Sequence, residues 1–297
     1  MPQKHRCARK VVLGERREPG YAPTDLPDET RPRDPFAAPC RRGTFITNHP
    51  MKQPNLSLKT TTCLLLGLLA GALYPVRAQE HPAATSVQQQ LDAKAAEIMQ
   101  AAPEAARTFA DGIAEVAASG LVEHAPKAGD KVVRFELPGA DGRKIRLADL
   151  LQQGPVVLAW YRGGWCPYCN ISLHALVEAE PAIRALGATL VAITPETPDS
   201  VAATTQTIGL TFPVLTDQGN RVAHQYRIAY KNPAAASAMM KAFKIDLAKT
   251  NGDPSDELPL PATFVVDRSG TIRWAFVDAD YRKRADPADI LSALKKL

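Results

Sequence analysis

One segment constrains this chain more than any other. Pro155-Val156-Val157-Leu158-Ala159-Trp160-Tyr161 is a near-continuous apolar run with the length and β-branching of a strand buried on both faces. Gly163, Gly164 and Pro167 then mark a tight turn into a helix running to about Leu186, and the turn delivers Cys166 and Cys169 to that helix's start. Unpaired backbone N–H groups and the helix dipole place partial positive charge there. Such a field favours thiolate over thiol, and thiolate is the reactive form. Residues i and i+3 share a helix face, so the two sulfurs can close a disulfide: one attacks, the other resolves. Pro167, at the first helical position, keeps this geometry rigid. Arg162 would add a full positive charge if its side chain folded back toward the sulfurs.

The rest of the cysteine content sharpens this reading. The chain has five cysteines, at 7, 40, 63, 166 and 169. Met1–Pro50 holds 8 of the 25 prolines and no helical or strand period, the composition of a disordered extension. Met51 opens a different pattern: Lys52 and Lys59 form a positive region, Cys63 to Leu73 an apolar run, and Val76-Arg77-Ala78 a small-residue cleavage site. These are the parts of a secretory signal peptide over 51–78, in the expected order, and the apolar run is short for a membrane span. Met51 is then expected to be the true start, with the protein exported to a bacterial periplasm; retention of the preceding fifty residues would instead leave a membrane anchor. After cleavage only Cys166 and Cys169 remain, too few for a disulfide framework.

Charge excludes one class of partner. The first fifty residues carry 10 Lys/Arg against 6 Asp/Glu, leaving only +1 of the net +5 for the remainder. A nucleic-acid footprint on the folded part is not expected. Hydrophobic residues at 45% and charged residues at 23% suit a globular protein.

Residues 79–127 read as helical, with Val87, Leu91, Ala95 and Ile98 and then Phe109, Ile113 and Val116 at three- and four-residue steps, and Pro103 opening the second segment. This predicts a helical hairpin packed on the main domain, or a dimerisation arm that would make a homodimer. From Ala128 the pattern is α/β: strands at Val132–Leu137, Val156–Trp160, Thr189–Thr194, Phe212–Leu215, Thr263–Val266 and Thr271–Val277, with helices between them and a last helix from Pro287 capped by Asp286. Lys231–Asp256 reads as an insertion around a helix at Ala234–Phe243. The sum is a mixed central sheet with helices on both faces.

Other uses of the cysteine pair are weaker. Structural zinc needs a second ligand pair, and copper relay would have to recruit a distant His124, His174 or His224. Inert buried cysteines would not need two glycines and a helix start around them. No phosphate-cradling loop or serine elbow is present, and no metal or organic cofactor is implied.

Three stretches carry a family resemblance: Trp160-Tyr161-Arg162-Gly163-Gly164-Trp165-Cys166-Pro167-Tyr168-Cys169, Leu260-Pro261-Ala262-Thr263-Phe264-Val265-Val266-Asp267, and Phe276-Val277-Asp278 through Tyr281-Arg282. The chain resembles the peroxiredoxin-like branch of the alkyl hydroperoxide reductase/thiol-specific antioxidant family, within the thioredoxin-like superfamily, over Ala128–Leu297. The resemblance implies a thioredoxin-like fold and a thiol-dependent peroxidase. Laid on the family motif, Cys169 falls on the peroxidatic cysteine, Arg162 replaces the motif proline and Cys166 the threonine. The arginine that polarises peroxide in the family is replaced by Pro261, which instead looks like the cis-proline of thioredoxin-type oxidoreductases facing the disulfide, with Thr263 following in the strand. Arg162 is then the first candidate for the missing positive charge and Arg282 the second. Trp165, Pro167 and Tyr168 support the site; Trp160 and Trp165 flank it, Trp160 more as a core residue.

Two registers follow. In the peroxidase register Cys169 reduces hydrogen peroxide or an organic hydroperoxide, becomes a sulfenic acid, and condenses with Cys166; a thioredoxin-like dithiol re-reduces the disulfide. In the alternative register Cys166 is exposed, attacks protein disulfides, and is resolved by Cys169.

Overall fold

The computed structural model describes residues 86–297, so the expected extension (1–50) and signal segment (51–78) lie outside the described residues. The elements run α1 (Val87–Ala101), α2 (Pro103–Ala118), α3 (Leu121–His124), β1 (Glu136–Pro138), β2 (Lys144–Arg146), α4 (Leu147–Gln153), β3 (Val156–Trp160), α5 (Pro167–Ala185), β4 (Thr189–Thr194), α6 (Pro198–Ile208) and β5 (Val214–Thr216). They continue through α7 (Arg221–Gln225), β6 (Ala229–Lys231), α8 (Ala234–Ala242), α9 (Leu247–Asn251), β7 (Glu257–Pro259), β8 (Ala262–Val266), β9 (Ile272–Val277) and α10 (Pro287–Leu294).

The apolar run of β3 is buried along its whole length because β3 is the middle strand of five, in the order β5-β4-β3-β8-β9. It pairs parallel with β4 and antiparallel with β8, and β4 pairs parallel with β5. Each parallel step needs a crossover, and α5 and α6 supply them. The return from β8 to β9 is a hairpin at Asp267–Gly270, where the Asp267 carboxylate accepts from the backbone N–H groups of Ser269 and Thr271.

Alternation along β3 divides the core into two layers. Val157 and Ala159 pack with Leu91 of α1, Leu173 and Ile183 of α5, Val201 of α6 and Ile290 of α10. Val156, Leu158 and Trp160 face Leu147 of α4, Val222 of α7, and Tyr226. Helices thus cover both faces of a mixed sheet, the arrangement expected of a thioredoxin-like fold.

Several boundaries differ from the sequence expectations. Val132–Leu137 does not form one strand. Residues up to Phe135 run irregularly, with Lys131 making a single bridge to Thr271, and only Glu136–Pro138 pairs with β2. The strand expected at Phe212 begins at Val214, since Pro213 has no N–H to give a ladder. The expected insertion is framed by its own two strands, β6 and β7, paired antiparallel.

Of the two readings of the N-terminal helices, the structure shows packing on the domain. Ser86 and Gln89 form a capping box at the start of α1, and Ala102 breaks the helix just before Pro103. Val87 and Leu91 enter the α5 layer of the core. Gly112 of α2 brings that helix close to α8, where an added Cβ would meet the Ala236 methyl at 3.4 Å.

Candidate active site

Strand β3 ends at Trp160, and the next nine residues build the site. Trp160 turns to the α4 side, its ring tilted 4.8 Å from that of Tyr226 and edge-on 5.8 Å from that of Phe264, so it is a core residue. Tyr161 and Arg162 are both buried. The turn that follows needs its two glycines. Gly163 has φ of +157°, and a Cβ there would lie 2.2 Å from the Trp165 indole nitrogen; at Gly164 it would lie 1.9 Å from Oγ1 of Thr204. Without side chains, the turn seats directly against α6 and folds Trp165 back on itself.

Cys166 is the N-cap of α5, Pro167 its first helical residue and Cys169 two residues further on. Both cysteines are free, and they lie close enough for each to shift the other's ionisation. Cys166 is only 1% exposed, which corrects the alternative register's expectation of an exposed sulfur at the helix start; Cys169 is fully buried. The Gly163–Trp165 turn and the aromatic rings around Arg162 account for the enclosure.

Two guanidinium groups flank the pair. Nη2 of Arg284 donates to Cys169 Sγ at 3.2 Å, while Nη1 of Arg162 lies 4.0 Å from Cys166 Sγ. Arg284 is fixed by donating from Nη1 to the carbonyls of Tyr281 and Lys283. Arg162 lies flat over the Tyr281 ring, 3.9 Å from its centroid, with Trp165 at 5.1 Å on another side. Both arginines are buried, and among the described residues neither forms an ion pair with a carboxylate. A buried cation without a counterion is costly. The sulfurs are the groups placed to supply the negative charge.

The two thiols respond in opposite directions. Burial opposes ionisation of Cys169, but the hydrogen bond from Cys166 and the charges of Arg284 and Arg162 outweigh it and hold this thiol well below its ordinary value. Burial pushes the Cys166 thiol well up, and its hydrogen bond to Cys169 and the negative charge there push the same way. The surroundings therefore favour the thiolate at Cys169 over Cys166.

The remaining candidates are distributed around this pair. Tyr168 is buried with its ring 5.7 Å from that of Tyr281, and burial lifts its phenol to about 12. Asn170 donates to the Gly164 carbonyl at 2.9 Å and so ties the helix to the turn. Pro261 stands immediately before β8, its carbonyl accepting from Asp278. Thr263 shares a small internal pocket with Tyr161 and Arg284. Arg282, the second candidate for the missing charge, turns away and makes a two-pronged ion pair with Asp280 at 2.9 Å on both prongs. His224, one candidate for metal relay, pairs with Glu257 at 2.7 Å.

A mixed sheet delivering a cysteine pair and two cations to a helix start now meets the sequence comparison: the model of the AhpC/TSA family matches residues 128–275. Those residues belong to the AhpC/TSA family. Relatives of the AhpC/TSA domain carry two kinds of name. The thiol-disulfide oxidoreductase ResA of Geobacillus thermodenitrificans is 24% identical over 146 residues, covering 49% of this chain and 66% of that protein. Peroxiredoxin Bcp of Escherichia coli is 27% identical over 103 residues, covering 34% of this chain and 65% of that protein. The matches thus span just under two thirds of those relatives' lengths. Among solved structures, the Peroxidoxin BcpB of Mycobacterium tuberculosis aligns over 58% of this chain and 97% of its own, with 23% identity and a TM-score of 0.45. Redox thiol chemistry is common to the relatives' names; peroxide as the substrate is not.

Two residues at the site escaped the sequence reading. Arg284 lies in the run Arg282-Lys283-Arg284, which has no periodicity to show which cation points inward. Glu196, in the loop after β4, is 2% exposed and accepts from the Gly164 N–H at 3.0 Å. Burial, with the negative charge of Cys169 adding to it, lifts its carboxyl to about 7.

Proposed function

We propose that this protein is a thiol-dependent peroxidase in which Cys169 is the nucleophile and Cys166 the resolving thiol. The Cys169 thiolate attacks the terminal oxygen of a hydroperoxide; the O–O bond breaks, Cys169 becomes a sulfenic acid, and hydroxide or alkoxide leaves and takes up a proton. The Arg284 guanidinium, bonded to the attacking sulfur, would meet the charge that develops on the breaking bond, as electrostatic stabilisation of a leaving oxygen needs. Cys166 then condenses with the sulfenic acid, releasing water and forming a Cys166–Cys169 disulfide, and an external dithiol of thioredoxin-like chemistry reduces it.

The single observation that supports this most is the Arg284–Cys169 contact at 3.2 Å, made by a buried cation that has no carboxylate partner among the described residues. It takes the place of the family arginine that Pro261 replaces. The burial of Cys166 favours a small oxidant over a protein disulfide, which needs an attacking sulfur at the surface. Export to a bacterial periplasm through the 51–78 segment is part of the same proposal.

The test is consumption of hydrogen peroxide by fully reduced protein. One equivalent should disappear per dithiol, far faster than the same protein reduces a disulfide-bonded protein substrate. Rapid reduction of the protein disulfide with peroxide left untouched would favour thiol–disulfide exchange, the activity in the name of the ResA relatives.

A further inference from the structure

One buried acid has no part in the chemistry above. Glu196 is almost completely enclosed; its carboxylate accepts from the Gly164 N–H at 3.0 Å, in the turn that leads into Cys166, and the hydroxyls of Tyr161 and Thr194 also face it. Among the described residues it has no ion-pair partner. The titratable groups facing it are the Tyr161 phenol from the end of β3 and the Cys169 sulfur from α5. Its outer side borders a cleft of about 290 Å³ whose α6 and α9 walls carry Ser200, Thr204 and Thr250, with no lysine, arginine or histidine along it. Glu196 therefore lines a hydroxyl-bearing opening to solvent within electrostatic reach of Cys169, and among the described residues no cation pairs with it.

We propose that Glu196 stores the proton that accompanies each redox cycle, holding it while Cys169 is a thiolate and releasing it when Cys169 is oxidised. Two negative charges in one enclosed space repel, so a Cys169 thiolate keeps the carboxyl protonated. Oxidation removes the sulfur's charge, and the carboxyl ionises. The balance closes. In oxidation, Cys169–S⁻ and ROOH give Cys169–SOH and RO⁻; RO⁻ takes a proton from solvent, and Glu196, ionising, returns one to solvent through the cleft. In reduction, an external dithiol supplies two electrons and two protons: Cys166 takes one proton as its thiol, and Glu196 takes the other. The coupling is reciprocal, since neutral Glu196 in turn favours the thiolate. Glu196 acts through the field at Cys169 and through Gly164, as a positioning residue.

This rests on the reading that the pair cycles between dithiol and disulfide, but not on peroxide being the oxidant. The experiment is the midpoint potential of the pair against pH in a dithiol/disulfide buffer, for wild type, Glu196→Gln and Glu196→Asp. Each proton bound with two electrons makes reduction tenfold more favourable per unit fall in pH, about 30 mV. Around and below pH 7 the wild-type slope should be twice that of Glu196→Gln, whose amide keeps an acceptor for Gly164; Glu196→Asp should restore the doubled slope. Oxidised-minus-reduced infrared difference spectra should show a protonated carboxyl band lost on oxidation and absent in the Gln variant. Equal slopes in wild type and Glu196→Gln, with no carboxyl band, would overturn the Glu196 proposal alone. Failure of wild type to form any disulfide would overturn this proposal together with the dithiol–disulfide reading beneath it.

Discussion

The two halves of the cysteine pair are the same chemical group, three residues apart at one helix start, yet their surroundings push their ionisation in opposite directions. On the Cys169 side the sulfur is fully enclosed and Arg284 donates to it at 3.2 Å, with its other amino group locked on backbone carbonyls. On the Cys166 side the sulfur is the helix N-cap, and Arg162 approaches only to 4.0 Å because its plane is committed to the Tyr281 ring. Helix position alone would have made Cys166 the more acidic thiol, since it lies nearest the positive end of the dipole. A directly bonded guanidinium in a buried site outweighs a partial charge. In the proposed mechanism, the attacking sulfur is selected by a loop more than a hundred residues downstream, which brings Arg284 to Cys169, and not by the CxxC spacing.

The contrast can be broken in order of expected effect. Cys169→Ser should abolish peroxide consumption, a loss of roughly 10³-fold or more in the second-order rate constant measured by stopped flow. Arg284→Gln should come next, with a loss of about 10² to 10³-fold. It should also move the thiolate titration, followed by ultraviolet absorbance, upward by about 1–3 pH units. The sign follows from the depressed Cys169 value: wild-type activity should hold at neutral pH and fall only as acid protonates the thiolate, whereas in the variant that acid limb appears closer to neutrality. Arg284→Lys, keeping charge without the fork, should recover part of both effects.

Arg162→Gln should do less. Because Arg162 faces the resolving sulfur, a fall of about tenfold or less in the peroxide step is expected, from loss of its longer-range field at Cys169. A loss equal to that of Arg284→Gln would erase the distinction between the two sides. The smallest effect on chemistry should come from Gly164→Ala. Its added methyl runs into Thr204, so the turn must shift, and a destabilisation of about 1–3 kcal/mol in chemical denaturation is expected. The doubly substituted Gly164→Ala/Thr204→Ala protein should recover part of that loss.

Much of the scaffold was legible in the sequence because it is written in short-range signals. The apolar run of β3, the glycine pair, Pro167 at the helix start and Asp286 before Pro287 each specify their local structure, and each element forms as read. Val132–Leu137 was misread because apolar content there serves packing beside Tyr226, whose hydroxyl donates to the Val133 carbonyl, and not strand pairing. The site was legible to the level of Cys166, Cys169 and Arg162. Arg284 and Glu196 were not, since each comes from a loop whose direction is set by tertiary contacts: carbonyls of Tyr281 and Lys283 for one, the Gly164 N–H for the other. In a run holding three cations in succession, only folding shows that Arg282 turns out to Asp280 while Arg284 turns in.

The most direct test is to locate the first oxidised sulfur. Reduced Cys166→Ser and Cys169→Ser proteins, each treated with sub-stoichiometric hydrogen peroxide and a sulfenic-acid trap, are mapped by peptide mass spectrometry. The trap should attach to Cys169 in Cys166→Ser and to nothing in Cys169→Ser, with wild type yielding the untagged internal disulfide. A tag on Cys166 in Cys169→Ser, with Cys169 left unmodified in the other variant, would contradict the assignment of the nucleophile.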